Sequence, residues 1–172
     1  GDRIFFENAG GALTLRSALE TSTKFAAIPD NQGRDNLTSN TLNSIIKNAK
    51  NDLSYLLNTH SGEFFMGESG TELLFRLIRN SLLASPSGGS IVGTSLEHPA
   101  SRSAAKKWAD EMDYTYCSVP HNVEMGTVDS EAYANHISET TRVVTIVHAS
   151  PVTGMGTQIR EISKIIRQKA PL

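Results

Sequence analysis

From residue 63 onward the chain alternates short β-rich apolar runs with longer runs whose apolar residues recur every three or four positions. Residues 63–66, 90–94, 114–119 and 142–147 read as strands. Residues 70–83, 99–112, 130–138 and 157–168 read as helices, with Ile159, Ile162, Ile165 and Ile166 turned inward in the last. A strand that returns in the same direction needs a crossover, and a helix is the usual one. The predicted fold class is therefore α/β: a three-layer α/β/α sandwich with a mainly parallel sheet.

Before that alternation the chain reads as helical. Ile4-Phe5-Phe6 is a short apolar run ended by Glu7-Asn8-Ala9-Gly10-Gly11, where two glycines permit a tight turn or a close approach to a ligand. A helix is predicted over 13–27, stopped by Pro29-Asp30-Asn31-Gln32-Gly33. A longer helix is predicted over 39–57, with Leu42, Ile45, Ile46, Ala49, Leu53, Leu56 and Leu57 at helical spacing and Thr38 or Ser39 as its cap.

Composition narrows the function classes. A length of 172 residues with 38% hydrophobic and 20% charged residues suits one cored domain rather than a disordered chain. The net charge of −2 gives no basic excess for a nucleic-acid partner. No apolar run is long enough to span a membrane, and Gly1-Asp2-Arg3-Ile4 has no signal-peptide character. Cys117 is the single cysteine, so an internal disulfide is excluded and a reducing, cytoplasmic setting is expected. Its place in a predicted strand suggests a buried, inert thiol.

Three stretches at predicted strand ends have ligand-binding composition. In Gly67-Glu68-Ser69-Gly70-Thr71-Glu72, Ser69 can cap the next helix and Glu72 can complete a capping box. The same helix start offers free N–H groups, the Thr71 hydroxyl and a positive dipole end, which suit a phosphate. Glu97-His98-Pro99 lies one βα unit later; Pro99 fits a first helical turn, and His98 can be a plain helix-start residue or a flat, proton-carrying ring beside a ligand. Val147-His148-Ala149-Ser150-Pro151-Val152-Thr153-Gly154 is either a ligand loop or a polar turn with a proline corner. His60, His121 and His136 read as surface or turn residues, and the histidines lack metal-ligand spacing. The phosphate-loop and dinucleotide glycine signatures are absent, which argues against a nucleoside triphosphatase or a dinucleotide domain.

In family order, four segments resemble the class V aminotransferase family, in its cysteine desulfurase and selenocysteine lyase branch. They are Phe6 to Gly11, Phe65 to Glu72, Leu96-Glu97-His98, and Thr140 through Gly154. The resemblance spans nearly the whole chain. It implies a fold type I pyridoxal 5′-phosphate (PLP) enzyme, usually a homodimer, acting on an amino-acid substrate through an external aldimine. Residues 1–60 would lead into the large domain and 61–172 would be its first part. By the same resemblance Gly70 and Thr71 hold the cofactor phosphate, and His98 stacks on the ring as the catalytic histidine. Ser150 lies near the ring's phenolic oxygen, and Asn8, Ala9 and Gly10 border the substrate.

The chain departs from that family in three ways. Pro151 stands where the family has an asparagine that bonds the ring oxygen; Ser150 or Thr153 are the candidate replacements. The aspartate that pairs with the pyridine nitrogen and the Schiff-base lysine have no counterpart, and Lys106 and Lys107 read as solvated. Cys117 does not match the sulfur-accepting cysteine of true desulfurases. Ala170-Pro171-Leu172 comes where another buried strand is expected, so the chain reads as a piece of a longer protein, inactive alone. Two alternatives stay open: a non-catalytic PLP-fold relative, and an unrelated doubly wound phosphate-binding domain.

Overall fold

The computed structural model describes residues 4–29 and 33–171. The expectations placed on Gly1 to Arg3, on Asp30 to Gln32 and on Leu172 lie outside the described residues. The chain divides into two units, Gly1–Phe65 and Met66–Leu172.

The first unit holds α1 (Asn8–Gly11), α2 (Arg16–Ala26) and α3 (Leu37–Leu56). The cap of α3 is Asn36, whose side chain accepts from the Ser39 N–H at 2.9 Å, and not Thr38 or Ser39. Asn, Asp and Ser are comparable caps, so the helix starts at the earliest one that the extended backbone permits. Of the apolar stripe of α3, Leu42, Ile45, Ile46, Ala49 and Leu53 are half-buried, whereas Leu56 and Leu57 are exposed.

Residues 63–66 form no strand, and Phe65 and Met66 are exposed. An extended segment becomes a strand only when a neighbour accepts its backbone hydrogen bonds, and no described residue pairs with this one.

The second unit is built on three parallel strands in the order β2-β1-β3: β1 (Ser90–Thr94), β2 (Thr115–Val119) and β3 (Thr141–Val144). Ile91 lies opposite Tyr116 and Val143, and Val92 opposite Cys117 and Val144. A register shift at Ser90 is closed by a 3.0 Å bond between the Ser90 and Thr141 hydroxyls. Side chains alternate across a strand, so β1 serves two cores. On one face Ile91 packs with Ile78 and Leu82 of α4 (Gly70–Leu83) and with Ala104, Ala105 and Ala109 of α5 (Pro99–Glu111). On the other, Val92 packs with Tyr133 of α6 (Ser130–Ala134) and Ile162 of α7 (Ile159–Lys169). This is the predicted three-layer α/β/α arrangement.

Polar bonds tie the helices to the sheet. Trp108 donates its indole N–H to the Phe75 carbonyl at 2.8 Å, joining α5 to α4. The Tyr114 hydroxyl reaches the carbonyls of Leu82 and Pro86 at 3.3 and 3.0 Å. That bond pair fixes the C-terminal end of α4 beside the N-terminal ends of the strands. Cys117 is half-buried rather than fully buried. It packs against the second core with the α7 side of the sheet.

Elements end where the sequence alone gives no stop. β3 closes at Val144, three residues before the predicted end. The Thr145 N–H still donates to the Val92 carbonyl at 2.8 Å, but the Val147 N–H turns to the Glu97 carboxylate. α6 is also shorter than predicted, because Ile137 and His136 close it with bonds back to the Tyr133 carbonyl.

Two outcomes test this packing. Gly89 sits at φ +115°, and a Cβ there would lie 2.1 Å from the Thr140 carbonyl oxygen; Gly88, at φ +74°, faces open space. Gly89→Ala should cost about 3 kcal/mol or more, because overlap with backbone adds to the left-handed strain, and Gly88→Ala about 1 kcal/mol, in urea unfolding. Equal losses would contradict the close approach of residue 89 to β3. The Tyr133 phenol is fully buried, and burial, reinforced by the nearby Glu97 carboxylate, holds its pKa well above the ordinary value of 10.0. The unfolded chain then releases that proton more readily, so this contribution is intact below about pH 10 and falls as pH rises beyond it. Melting temperatures between neutral and strongly alkaline pH should show that fall, with a shallower slope in Tyr133→Phe.

Candidate active site

Both α4 and α5 run back from the same rim of the sheet. α5 connects β1 to the parallel β2, so its first residue lies at the C-terminal end of β1. The anchoring of the far end of α4 by Tyr114 places the start of α4 at that rim too. Crevices at the carboxyl ends of parallel strands are where open α/β sheets bind ligands.

The start of α4 is capped and still has free donors. The Ser69 hydroxyl accepts from the Glu72 N–H at 3.2 Å, and the Ser69 carbonyl from the Leu73 N–H at 3.1 Å. The N–H groups of Gly70 and Thr71 and the Thr71 hydroxyl have no acceptor among the described residues, and both residues are exposed. Glu72 does not close a capping box. One carboxylate oxygen pairs with Arg76 at 2.6 Å, and the other is buried beside Gly67 with no partner among the described residues. A Cβ on Gly67 would come within 2.5 Å of that oxygen and 2.8 Å of the Leu73 side chain, so a larger residue there requires those two side chains to move.

His98 is the cap of α5. Its Nδ1 accepts from the Ala100 N–H at 3.1 Å, while Pro99 takes the first helical position. That acceptor role fixes the neutral tautomer with its hydrogen on Nε2. The ring is exposed at the rim and held at one edge.

Glu97, beside it, is only 5% exposed. Its Oε1 accepts from the Val147 N–H at 2.8 Å and lies 3.4 Å from the Thr94 hydroxyl; its Oε2 accepts from the Ser101 hydroxyl at 2.8 Å. The sequence marks Glu97 only as His98's neighbour. A buried carboxylate between Leu96 and a helix start is invisible to periodicity.

The loop after β3 is folded on itself. Ser150 is 3% exposed, and its hydroxyl accepts from the N–H groups of Val152 and Thr153, each at 3.2 Å. The Ser150 N–H donates to the Met155 carbonyl, and the Gly154 N–H to the Ser150 carbonyl, both at 2.9 Å. The Thr153 hydroxyl donates to the Gly126 carbonyl at 2.6 Å, while Pro151 is exposed. Thr157 ties the loop's base by donating to the Val147 carbonyl.

Two further groupings lay unmarked in the sequence. Ser95, after β1, meets His121, after β2: the Ser95 hydroxyl is 2.8 Å from the ring Nδ1 and accepts from the His121 N–H at 3.0 Å. His121 was read as a turn residue, and only the parallel pairing of β1 with β2 brings the two together. Tyr116 and Thr145 flank Gly93, and a Cβ on that glycine would lie 2.9 Å and 2.8 Å from their hydroxyl oxygens. Both hydroxyl oxygens are buried, and that of Thr145 has no hydrogen-bond partner among the described residues. Burial raises the Tyr116 phenol above its ordinary pKa.

Gly70 and Thr71 thus open α4, His98 caps α5 and Ser150 lies in the loop after β3, all within the second unit. Asn8, Ala9 and Gly10 are exposed residues of α1 in the other unit. Lys106 and Lys107 are exposed on α5, with Lys107 paired to Glu111. Among the described residues no helix is long and apolar enough to cross a membrane.

Comparison with known proteins agrees with the fold. A cysteine desulfurase of Nostoc sp. is 29% identical over 132 residues, which is 76% of this chain and 32% of that protein. A cysteine desulfurase-like protein of Aspergillus flavus is 28% identical over 173 residues, which is 96% of this chain and 39% of that one. The chain thus spans about a third of the length of the curated relatives it matches. Among solved structures, a NifS-like protein superposes with a TM-score of 0.87 at 19% identity, over 97% of this chain and 46% of that one. A C-DES variant with glycine covalently linked to its PLP cofactor gives 0.80 at 21% identity, over 99% and 44%. At such identities the two superpositions establish the fold, which is that of fold type I PLP enzymes. The family model for aminotransferase class-V matches residues 4–172, and the chain belongs to that family.

Proposed function

We propose that this chain is the first part of a PLP-dependent enzyme of cysteine desulfurase-like type that acts on an amino-acid substrate. One observation carries the reading. Unclaimed N–H donors at the start of α4 share a rim with an exposed, neutral imidazole whose orientation is fixed by its own helix.

The residues suit the cofactor's two ends. Gly70 and Thr71 offer two N–H groups and a hydroxyl at a positive helix end, a donor set that fits a phosphate ester. The His98 ring, pinned through Nδ1, presents a flat face for a pyridine ring and keeps its Nε2 hydrogen for exchange with substrate. Ser150 accepts two N–H bonds yet keeps a hydroxyl hydrogen, which we assign to the ring's phenolic oxygen in place of the missing asparagine. Residues 61–172 are on this reading the first part of the cofactor-binding large domain. When bound, PLP supplies an electron sink for bonds at the substrate's α-carbon. Family resemblance supports a homodimer, and the single cysteine a reducing cytoplasmic setting. Pro151 and the loop-bound Thr153 hydroxyl favour, as a second reading, a relative that binds PLP without turnover.

The test is a titration of the full-length protein with PLP, followed by borohydride. We expect a yellow absorption band, cofactor fixed to a lysine, and affinity about tenfold lower in Thr71→Ala, the loss of one charge-assisted bond. Binding without fixation to a lysine would favour the second reading. Equal affinity of wild type and Thr71→Ala would contradict the phosphate site.

A further inference from the structure

We infer that Glu97 is a positioning residue for His98: its buried carboxylate fixes the ring-bearing helix start against the segment that follows β3. The inference rests on the proposed function, since it concerns the ring that His98 would meet. Three strands of observation lead to it. Glu97 is 5% exposed, yet its side chain has no cationic partner among the described residues, so its bonds are those of a structural clamp rather than of a surface ion pair. Those bonds reach three places. The Thr94 hydroxyl lies at the end of β1, the Ser101 hydroxyl one turn into α5, and the Val147 N–H in the segment just after β3, fifty residues away in sequence. His98 sits directly between Glu97 and that first turn, and its own Nδ1 is bound within the turn at Ala100.

The geometry is therefore a short closed frame. Glu97 holds Ser101, the turn from Pro99 to Ser101 holds the imidazole edge, and Glu97 also holds Val147. The Val147 carbonyl is held in turn by Thr157, so the far side of the frame is fixed as well. A bond to an ionised group is stronger and more directional than a neutral one, and losing the acceptor would leave the Val147 N–H and the Ser101 hydroxyl unpaired in a buried setting. Removal of Glu97 frees the plane of the His98 ring without touching the Gly70 and Thr71 donors. Glutamine keeps one carbonyl oxygen for Val147, and the Ser101 hydroxyl can rotate to accept from its amide, so Glu97→Gln should largely preserve the frame.

The experiment uses the full-length protein and two probes, PLP and inorganic phosphate. Affinities and the visible circular dichroism of bound PLP are measured for wild type, Glu97→Ala, Glu97→Gln, His98→Ala and Glu97→Ala/His98→Ala. Amide exchange at Val147 is followed in parallel. We expect Glu97→Ala to bind PLP about tenfold more weakly, as for loss of a residue that orients a ligand's partner. Its visible dichroism should be reduced, exchange at Val147 faster, and phosphate affinity unchanged. Glu97→Gln should lie within about threefold of wild type, and the double variant should be no weaker than His98→Ala alone, because Glu97 acts through His98. An additive double variant, or equal losses for PLP and phosphate, would show a general structural role and overturn the inference. If Glu97→Ala does not fold, Ser101→Ala replaces it in the cycle; unchanged PLP affinity and dichroism there would overturn the inference too. Wild-type protein that binds no PLP overturns the proposed function together with it, whereas wild-type binding that Glu97→Ala leaves intact overturns the positioning role alone.

Discussion

The second unit depends on β1 being buried on both faces and paired on both edges. Ile91 and Val92 are each completely buried, and each belongs to a different core. A strand so placed has to find every backbone partner in its two neighbours. The run from Ser90 to Thr94 meets that demand with β2 on one side and β3 on the other. The small residue within it, Gly93, lets the Tyr116 and Thr145 hydroxyls approach the sheet from flanking strands.

The position of the candidate site follows from that strand. Parallel crossovers oblige α5 to begin where β1 ends, and the packing of α4 beside α5 brings a second helix start to the same rim. The rim therefore gathers helix starts with free N–H groups and the loops that leave the strands. Phosphate recognition and ring recognition need different groups: hydrogen-bond donors for one, a flat face for the other. On the proposed reading they come from two different helix starts, each with its own cap, so the two contacts would be fixed independently.

The long-range plan was legible in the sequence because it rests on periodicity and on Gly-Pro punctuation. Ser90–Thr94 and Gly70–Leu83 fall where the pattern puts them. Two of the misreadings share one cause, which is that partner choice is not a local property. Residues 63–66 have strand composition but no neighbour to pair with among the described residues. β3 stops early because a carboxylate fifty residues upstream takes the Val147 N–H. Asn36 outcompetes Thr38 and Ser39 through backbone conformation, which composition does not encode. At the candidate site, the places of Gly70, Thr71 and His98 at helix starts were legible from motifs. Glu97 and the Ser95–His121 pair were not, because their roles exist only after distant strands come side by side.

The central claim is that one rim of this sheet receives both ends of PLP, its phosphate at the start of α4 and its ring against His98. The most direct measurement is a crystal structure of the full-length protein grown with PLP. The account predicts phosphate oxygens within hydrogen-bond distance of the Gly70 and Thr71 N–H groups and the pyridine ring stacked on the His98 imidazole. Cofactor seated elsewhere, or a phosphate at α4 with the ring turned away from His98, would contradict it.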